Sequence, residues 1–163
     1  MKTKRNLVAV LGIAMLVGFG VTAGATEWQT NFAEASTNAA KTGMYMLVDF
    51  SGSDWCGWCM KLDEEVFGKA EFAAFAKKNL ICVSIDFPRK TEQSKALKEQ
   101  NNALAQKYAV QGFPTVLILS PKGELVTTTG YEAGGAKKYV ESLQQVIADH
   151  KQKLKANVRD AKQ

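Results

Sequence analysis

Two nearly continuous apolar runs, Met44 to Phe50 and Leu80 to Phe87, flank the segment 51–79, and this pairing constrains the fold more than any other feature of the chain. Each run has the length of a buried strand and is rich in the residues that fill one. Between them, Phe72, Phe75 and Ala76 fall at the i, i+3, i+4 spacing of one helix face. A strand, a helical crossover and a second strand make a parallel unit. Asp49 interrupts the first run with a carboxylate in an otherwise apolar strand.

The remaining elements extend this unit into an α/β domain. A first helix is expected over 31–41, with Phe32, Ala35, Ala39 and Ala40 on one face and Gly43 ending it. The loop Ser51 to Asp54 leads into a helix through about Val66, which Gly68 breaks. A second helical piece is expected over about 69–78. Residues 91–108, rich in Lys, Glu, Gln and Ala, read as a surface helix with Leu97, Leu104 and Tyr108 at helical spacing. Val116 to Leu119 is a strand that Pro121-Lys122-Gly123 turns into a partner over 124–129. A helix over 133–155 closes the domain, and 156–163 is a charged tail expected to fray.

The N-terminus carries Lys2, Lys4 and Arg5, then an apolar run from Leu7 to Phe19, then Ala23-Gly24-Ala25. That is the layout of a secretory signal peptide over 1–25, and it predicts an exported product. The apolar run is shorter than the roughly 20 residues of a spanning helix, so the mature form is not expected to span a membrane, an uncleaved anchor being the alternative. Removing 1–25 from the 163 residues leaves 138, the size of one domain over 26–155 plus the tail. Of 21 basic residues, 18 then face 16 acidic ones, a balance that argues against a nucleic-acid partner.

Exported chains meet an oxidising compartment, where cysteines usually act as staples. Only Cys56, Cys59 and Cys82 are present, and a staple across two intervening residues closes too small a loop to stabilise much. With His150 the only histidine, a zinc site of the usual kind is hard to assemble, so no metal is expected. The run Trp55-Cys56-Gly57-Trp58-Cys59 therefore points to redox use. At a helix start, unpaired N–H groups and the positive end of the helix dipole favour a thiolate, which makes Cys56 the candidate nucleophile. Cys59, one turn further in, suits a resolving role. Lys61 favours the thiolate, while Asp63, Glu64 and Glu65 oppose it. Asp54 reads as a turn or capping residue, and Cys82, between Ile81 and Val83, as a small buried hydrophobe.

Val48-Asp49-Phe50, the Cys-Gly-Trp-Cys motif and Gly112-Phe113-Pro114-Thr115, in this order and with Gly123 beyond, resemble the thioredoxin superfamily over nearly the whole mature chain. Glu65-Val66-Phe67-Gly68 narrows the likeness to exported bacterial thioredoxin-like proteins. The resemblance implies a central mixed sheet with helices on both faces and a cis bond before Pro114. It implies a thiol–disulfide oxidoreductase acting on protein cysteines, with no cofactor beyond the Cys56–Cys59 disulfide, located in the periplasm. It also implies that Phe113 pairs through its backbone with an extended substrate, that Asp49 relays protons, and that a membrane thiol carrier supplies electrons. Trp55, Gly57, Trp58 and Pro114 would line the substrate face. Two departures stand out. Trp58 occupies a place where relatives often have proline, and Asp49 lies seven residues before Cys56, one more than is common.

Phe113 resembles the apolar residue common in reducing thioredoxins, and that likeness tips the expected direction toward reduction, with an isomerase or oxidase as alternatives. A non-catalytic binding module, docking through Trp55, Trp58 and Phe113, is the reading from another class.

Overall fold

The computed structural model of the protein describes residues 25–160, so the expected signal peptide, apart from Ala25, lies outside the described residues. Five strands form one sheet: β1 (Trp28–Gln29), β2 (Tyr45–Ser51), β3 (Leu80–Asp86), β4 (Thr115–Leu119) and β5 (Leu125–Thr129). Their order is β1-β3-β2-β4-β5. β1 and β2 run parallel to β3, whereas β4 runs antiparallel to both β2 and β5. The helices are α1 (Phe32–Thr42), α2 (Gly57–Leu62), α3 (Ala70–Asn79), α4 (Lys95–Lys107) and α5 (Gly135–Asp160). The result is the mixed sheet with helices on both faces that the sequence led us to expect. None of the described helices is long and apolar enough to cross a membrane.

β2 sits at the centre and is buried on both faces, which accounts for a sequence that is apolar except at Asp49 and the terminal Ser51. Successive side chains of a strand point to opposite faces. Tyr45 and Leu47 pack with Leu62, Val66, Phe72 and Tyr139, on the side that α2, α3 and α5 cover. Met46, Val48 and Phe50 pack with Ala35, Ala39 and Leu104, on the side of α1 and α4. The same alternation assigns Asp49 to the α2 side, beneath the helix that carries the cysteines.

Local chemistry sets the helix ends. Asn31 caps α1 by accepting the Glu34 N–H at 3.2 Å, and Gly43 closes it at φ 72°, a left-handed conformation that suits glycine. The expected continuous helix through Val66 instead widens after Leu62 into a π-helical turn over Asp63–Phe67. That turn brings the adjacent Val66 and Phe67 both into the core while Asp63 and Glu64 stay exposed. α4 starts at Lys95, later than Thr91, because the N–H groups of residues 89–91 are bound to Asp54 and Ser94 supplies the cap to Leu97.

Two further differences from the sequence reading have plain causes. α5 continues to Asp160 where a frayed tail was expected from residue 156. Neither Gly nor Pro occurs after Gly135, and Lys, Gln, Leu and Ala between 151 and 156 are strong helix formers, so propensity carries the helix beyond the sheet. β1 is only two residues long and has no apolar pattern of its own. Its pairing of Trp28 with Cys82 and Gln29 with Val83 specifies it instead.

Candidate redox site

The redox pair stands where β2 hands over to α2. Gly52 accepts hydrogen bonds from the Trp55 and Cys56 N–H groups at 3.1 and 2.8 Å, closing a tight turn after the strand. A side chain on Gly52 would overlap the Trp55 indole, so glycine is required there for close approach. Gly52→Ala is expected to displace the indole and cost about 1–3 kcal/mol, the range for forcing an extra carbon into a packed site. A lowered thermal unfolding midpoint, with quenching or shift of tryptophan fluorescence, is the readout.

Two carboxylates clasp this turn to the segment after β3. Asp86 accepts from the Ser53 N–H at 2.8 Å and from its hydroxyl at 2.6 Å. In the opposite direction, Asp54 accepts from the Arg89, Lys90 and Thr91 N–H groups at 2.9, 2.7 and 3.2 Å. These backbone donors, Arg89 foremost, hold the Asp54 carboxyl below its ordinary range. Asp54 therefore caps a distant loop, while the residue that caps α2 is Cys56 itself. Trp55 completes the clasp by donating its Nε1–H to the Phe87 carbonyl at 2.8 Å.

Cys56 and Cys59 form a disulfide with a Cα–Cα separation of 5.3 Å. Cys56 Sγ accepts the Cys59 N–H at 3.2 Å, and the Cys56 carbonyl accepts from Cys59 and Met60 at 3.1 and 3.0 Å. The N-cap sulfur thus occupies the position in which a helix start stabilises negative charge. Both cysteines are buried, Cys59 at 5% exposure and Cys56 at 7%. Their difference is positional: one caps the helix, the other lies inside its first turn.

Around the disulfide, Gly57 is exposed and has open space where a Cβ would stand. The Phe113–Pro114 bond is cis. The Phe113 ring stacks on Phe87 at 5.2 Å and meets Trp55 edge-on at 5.8 Å, so three aromatics from three loops form one wall. Trp58 is 59% exposed and is not packed into the core. Instead its ring lies 5.2 Å from Tyr131, and Lys61 Nζ sits 5.2 Å from one ring and 5.1 Å from the other. Tyr131 donates to Glu65 at 2.7 Å, and Glu65 lies 3.8 Å from Lys61. Lys61 is thereby engaged with Tyr131 and Glu65, which hold its ammonium above the ordinary range.

Asp49 Oδ1 is sealed from solvent and has no hydrogen-bond partner among the described residues. Burial, followed by the charges of Asp63 and Asp86, raises its carboxyl to about 7. Cys82 opposes Leu47 across the strand pair, and burial pushes its thiol to about 12, as an inert core cysteine requires. His150 is committed elsewhere, 2.9 Å from the Tyr45 hydroxyl. Tyr131 and Arg89 are the neighbours that sequence reasoning missed. Each comes from a loop distant in sequence, with no local motif to mark it.

Residues 32–147 match the Thioredoxin-like domain family. The disulfide bond reductase DsbH of Chlamydia pneumoniae is 31% identical over 121 residues, which cover 74% of this chain and 72% of that protein. Among solved structures, a DsbH oxidoreductase superposes with a TM-score of 0.76 at 28% identity, covering 90% of this chain and 95% of the other. A thioredoxin from Thermus thermophilus shares the fold, with a TM-score of 0.58 at 20% identity over 76% of this chain and 88% of that one. With a disulfide at the start of α2 and this kinship, the chain belongs to the thioredoxin-like family and is a thiol–disulfide oxidoreductase.

Proposed function

We propose that the protein is an exported, periplasmic reductase of protein disulfides. The observation that carries this reading is the Cys56–Cys59 disulfide with Cys56 Sγ at the helix cap, receiving the Cys59 N–H. In the reduced enzyme, the Cys56 thiolate attacks one sulfur of a substrate disulfide, and the other substrate sulfur leaves as a thiolate that takes up a proton. Cys59, deprotonated, then attacks the Cys56 sulfur, closing the enzyme disulfide and releasing the second substrate thiol. Two electrons and two protons reach the substrate.

Asp49 is the group that accepts the Cys59 proton: a carboxyl titrating near 7 beneath α2 is matched to proton transfer at neutral pH. The Phe113 backbone pairs with an extended substrate segment beside Pro114, Trp55 and Trp58 supply apolar contact, and open space at Gly57 admits the substrate backbone. No metal or organic cofactor enters these steps. A membrane thiol carrier returns the electrons. The direction draws support from the 31% identity to a protein named a disulfide bond reductase.

Equilibration with glutathione buffers tests the direction. A potential near the ~ −270 mV of thioredoxin is expected, and one near the ~ −120 mV of strong oxidants overturns it. Export is read from the N-terminus of the protein recovered from cells: a start at Thr26 is expected, and retention of Met1 contradicts it.

A further inference from the structure

Arg89 stands over the Trp55 ring with its guanidinium carbon 3.8 Å from the ring centroid. The residue is exposed, and its side chain makes no ion pair and no hydrogen bond among the described residues. Its position is nonetheless fixed at both ends. Asp54 binds the backbone N–H of Arg89 and of the next two residues, and the Trp55 ring beneath is itself anchored on the Phe87 carbonyl. The Asp54 oxygens are occupied by those three N–H groups, so this carboxylate holds the loop and leaves the guanidinium unclaimed.

Stacking uses the flat face of a guanidinium and leaves its N–H edge outward, a rigid fork that matches a carboxylate. Arginine packed on tryptophan also loses little further freedom on binding, which lowers the ordering cost that weakens most exposed ion pairs. Trp55 is shared: the same ring meets Phe113 at 5.8 Å. The fork therefore stands one aromatic ring away from the residue proposed to pair with substrate. Lys90 adds a second exposed positive charge beside it. On the opposite flank the comparable cation, Lys61, is already matched by Glu65, so the two sides differ in the charge they offer.

We propose that Arg89 is a specificity-determining residue that reads a carboxylate side chain next to the substrate cysteine, so that disulfides flanked by Asp or Glu are reduced preferentially. This rests on the reductase reading and adds a substrate class to it. The test uses two synthetic peptides with the same internal disulfide, one carrying Glu and the other Gln on both sides of the first cysteine. At low salt the protein is expected to favour the Glu peptide in kcat/KM by about threefold to fivefold, the size of a well-held exposed ion pair, and the preference is expected to shrink in 0.5 M NaCl.

Arg89→Gln should bring the two peptides to equal kcat/KM, and Arg89→Lys should keep only part of the preference, since lysine is a point charge without the fork. Because the readout is a ratio within each variant, a general loss of fold or activity cancels. Equal rates with the unaltered protein, or a preference that survives Arg89→Gln, overturns the inference while leaving the reductase reading intact. Failure to reduce either peptide removes the reductase reading, and the inference with it.

Discussion

Cys56→Ser is expected to abolish disulfide reduction, with a loss of ~10³-fold or more in turnover of an oxidised protein substrate, as removal of a covalent nucleophile typically causes. A serine hydroxyl is not ionised at neutral pH and cannot form the mixed disulfide. Cys82 offers no substitute, because it is buried and its thiol is raised to about 12. At pH 7 only ~10⁻⁵ of such a thiol is ionised. Cys59→Ser should behave differently. It leaves the sulfur at the helix cap, so the first step proceeds and the second cannot, and mixed disulfides accumulate through Cys56. Non-reducing gels of the two variants expressed in their own compartment read the contrast: thiol-sensitive adducts with Cys59→Ser and none with Cys56→Ser. Equal adducts from both variants would reverse the assignment of roles, and none from either, with no turnover by the unaltered protein, would leave a binding module as the better account.

The sheet was legible because its central strands are buried on both faces. β2 and β3 are predominantly apolar, interrupted only by Asp49 and Ser84 before their polar last residues, and short runs of that kind have few other fates. β1 was invisible for the converse reason: two residues tied by pairing to Cys82 and Val83 leave no periodic trace. The π turn after Leu62 was also hidden, since Asp63-Glu64-Glu65-Val66-Phe67 is compatible with an ordinary helix and only packing against the core selects the wider turn. Helix α4 begins late because of Asp54, a residue on another loop, which no local signal reports.

For the site, the division follows sequence distance. Cys56, Cys59 and their helix cap lie within one short segment and could be read directly. The environment of Trp58 could not, because Tyr131 approaches from the loop beyond β5, and Lys61 and Glu65 acquire their partners only there. A tryptophan in that place, taken alone, is equally consistent with covering the disulfide or standing clear of it. The folded chain places its ring at the surface, 59% exposed, against Tyr131 and Lys61. Asp49 was legible as an anomaly, a carboxylate in a buried strand, but the upward shift of its carboxyl comes from burial and from the charges of Asp63 and Asp86, which are properties of the packed molecule.

Asp49→Asn is expected to stabilise the oxidised protein at high pH and to leave it little changed at low pH. The native carboxyl titrates near 7, whereas an unfolded aspartate titrates near ~3.9. Between those values the native state keeps a proton that the unfolded state releases, so the favourable contribution is full below about 4 and is lost as pH rises through about 7. A gap of about three pH units corresponds to about 4 kcal/mol, an upper limit because Asp49 as a residue is only half-buried even though its Oδ1 is sealed. Asparagine has the same shape and no charge at any pH. Its carbonyl leaves the same atom unpaired, so the test lies in the slope with pH rather than in the absolute stability. Urea unfolding at pH 4.5, 6 and 8 should show the variant gaining on the parent as pH rises, and parallel curves would mean that the carboxyl titrates normally. If the same substitution also slows closure of the enzyme disulfide, the destabilising acid is retained for proton transfer, the compromise expected where function rather than packing selects a residue. A gain in stability with unchanged disulfide closure would instead separate the buried charge from the chemistry and remove Asp49 from the mechanism.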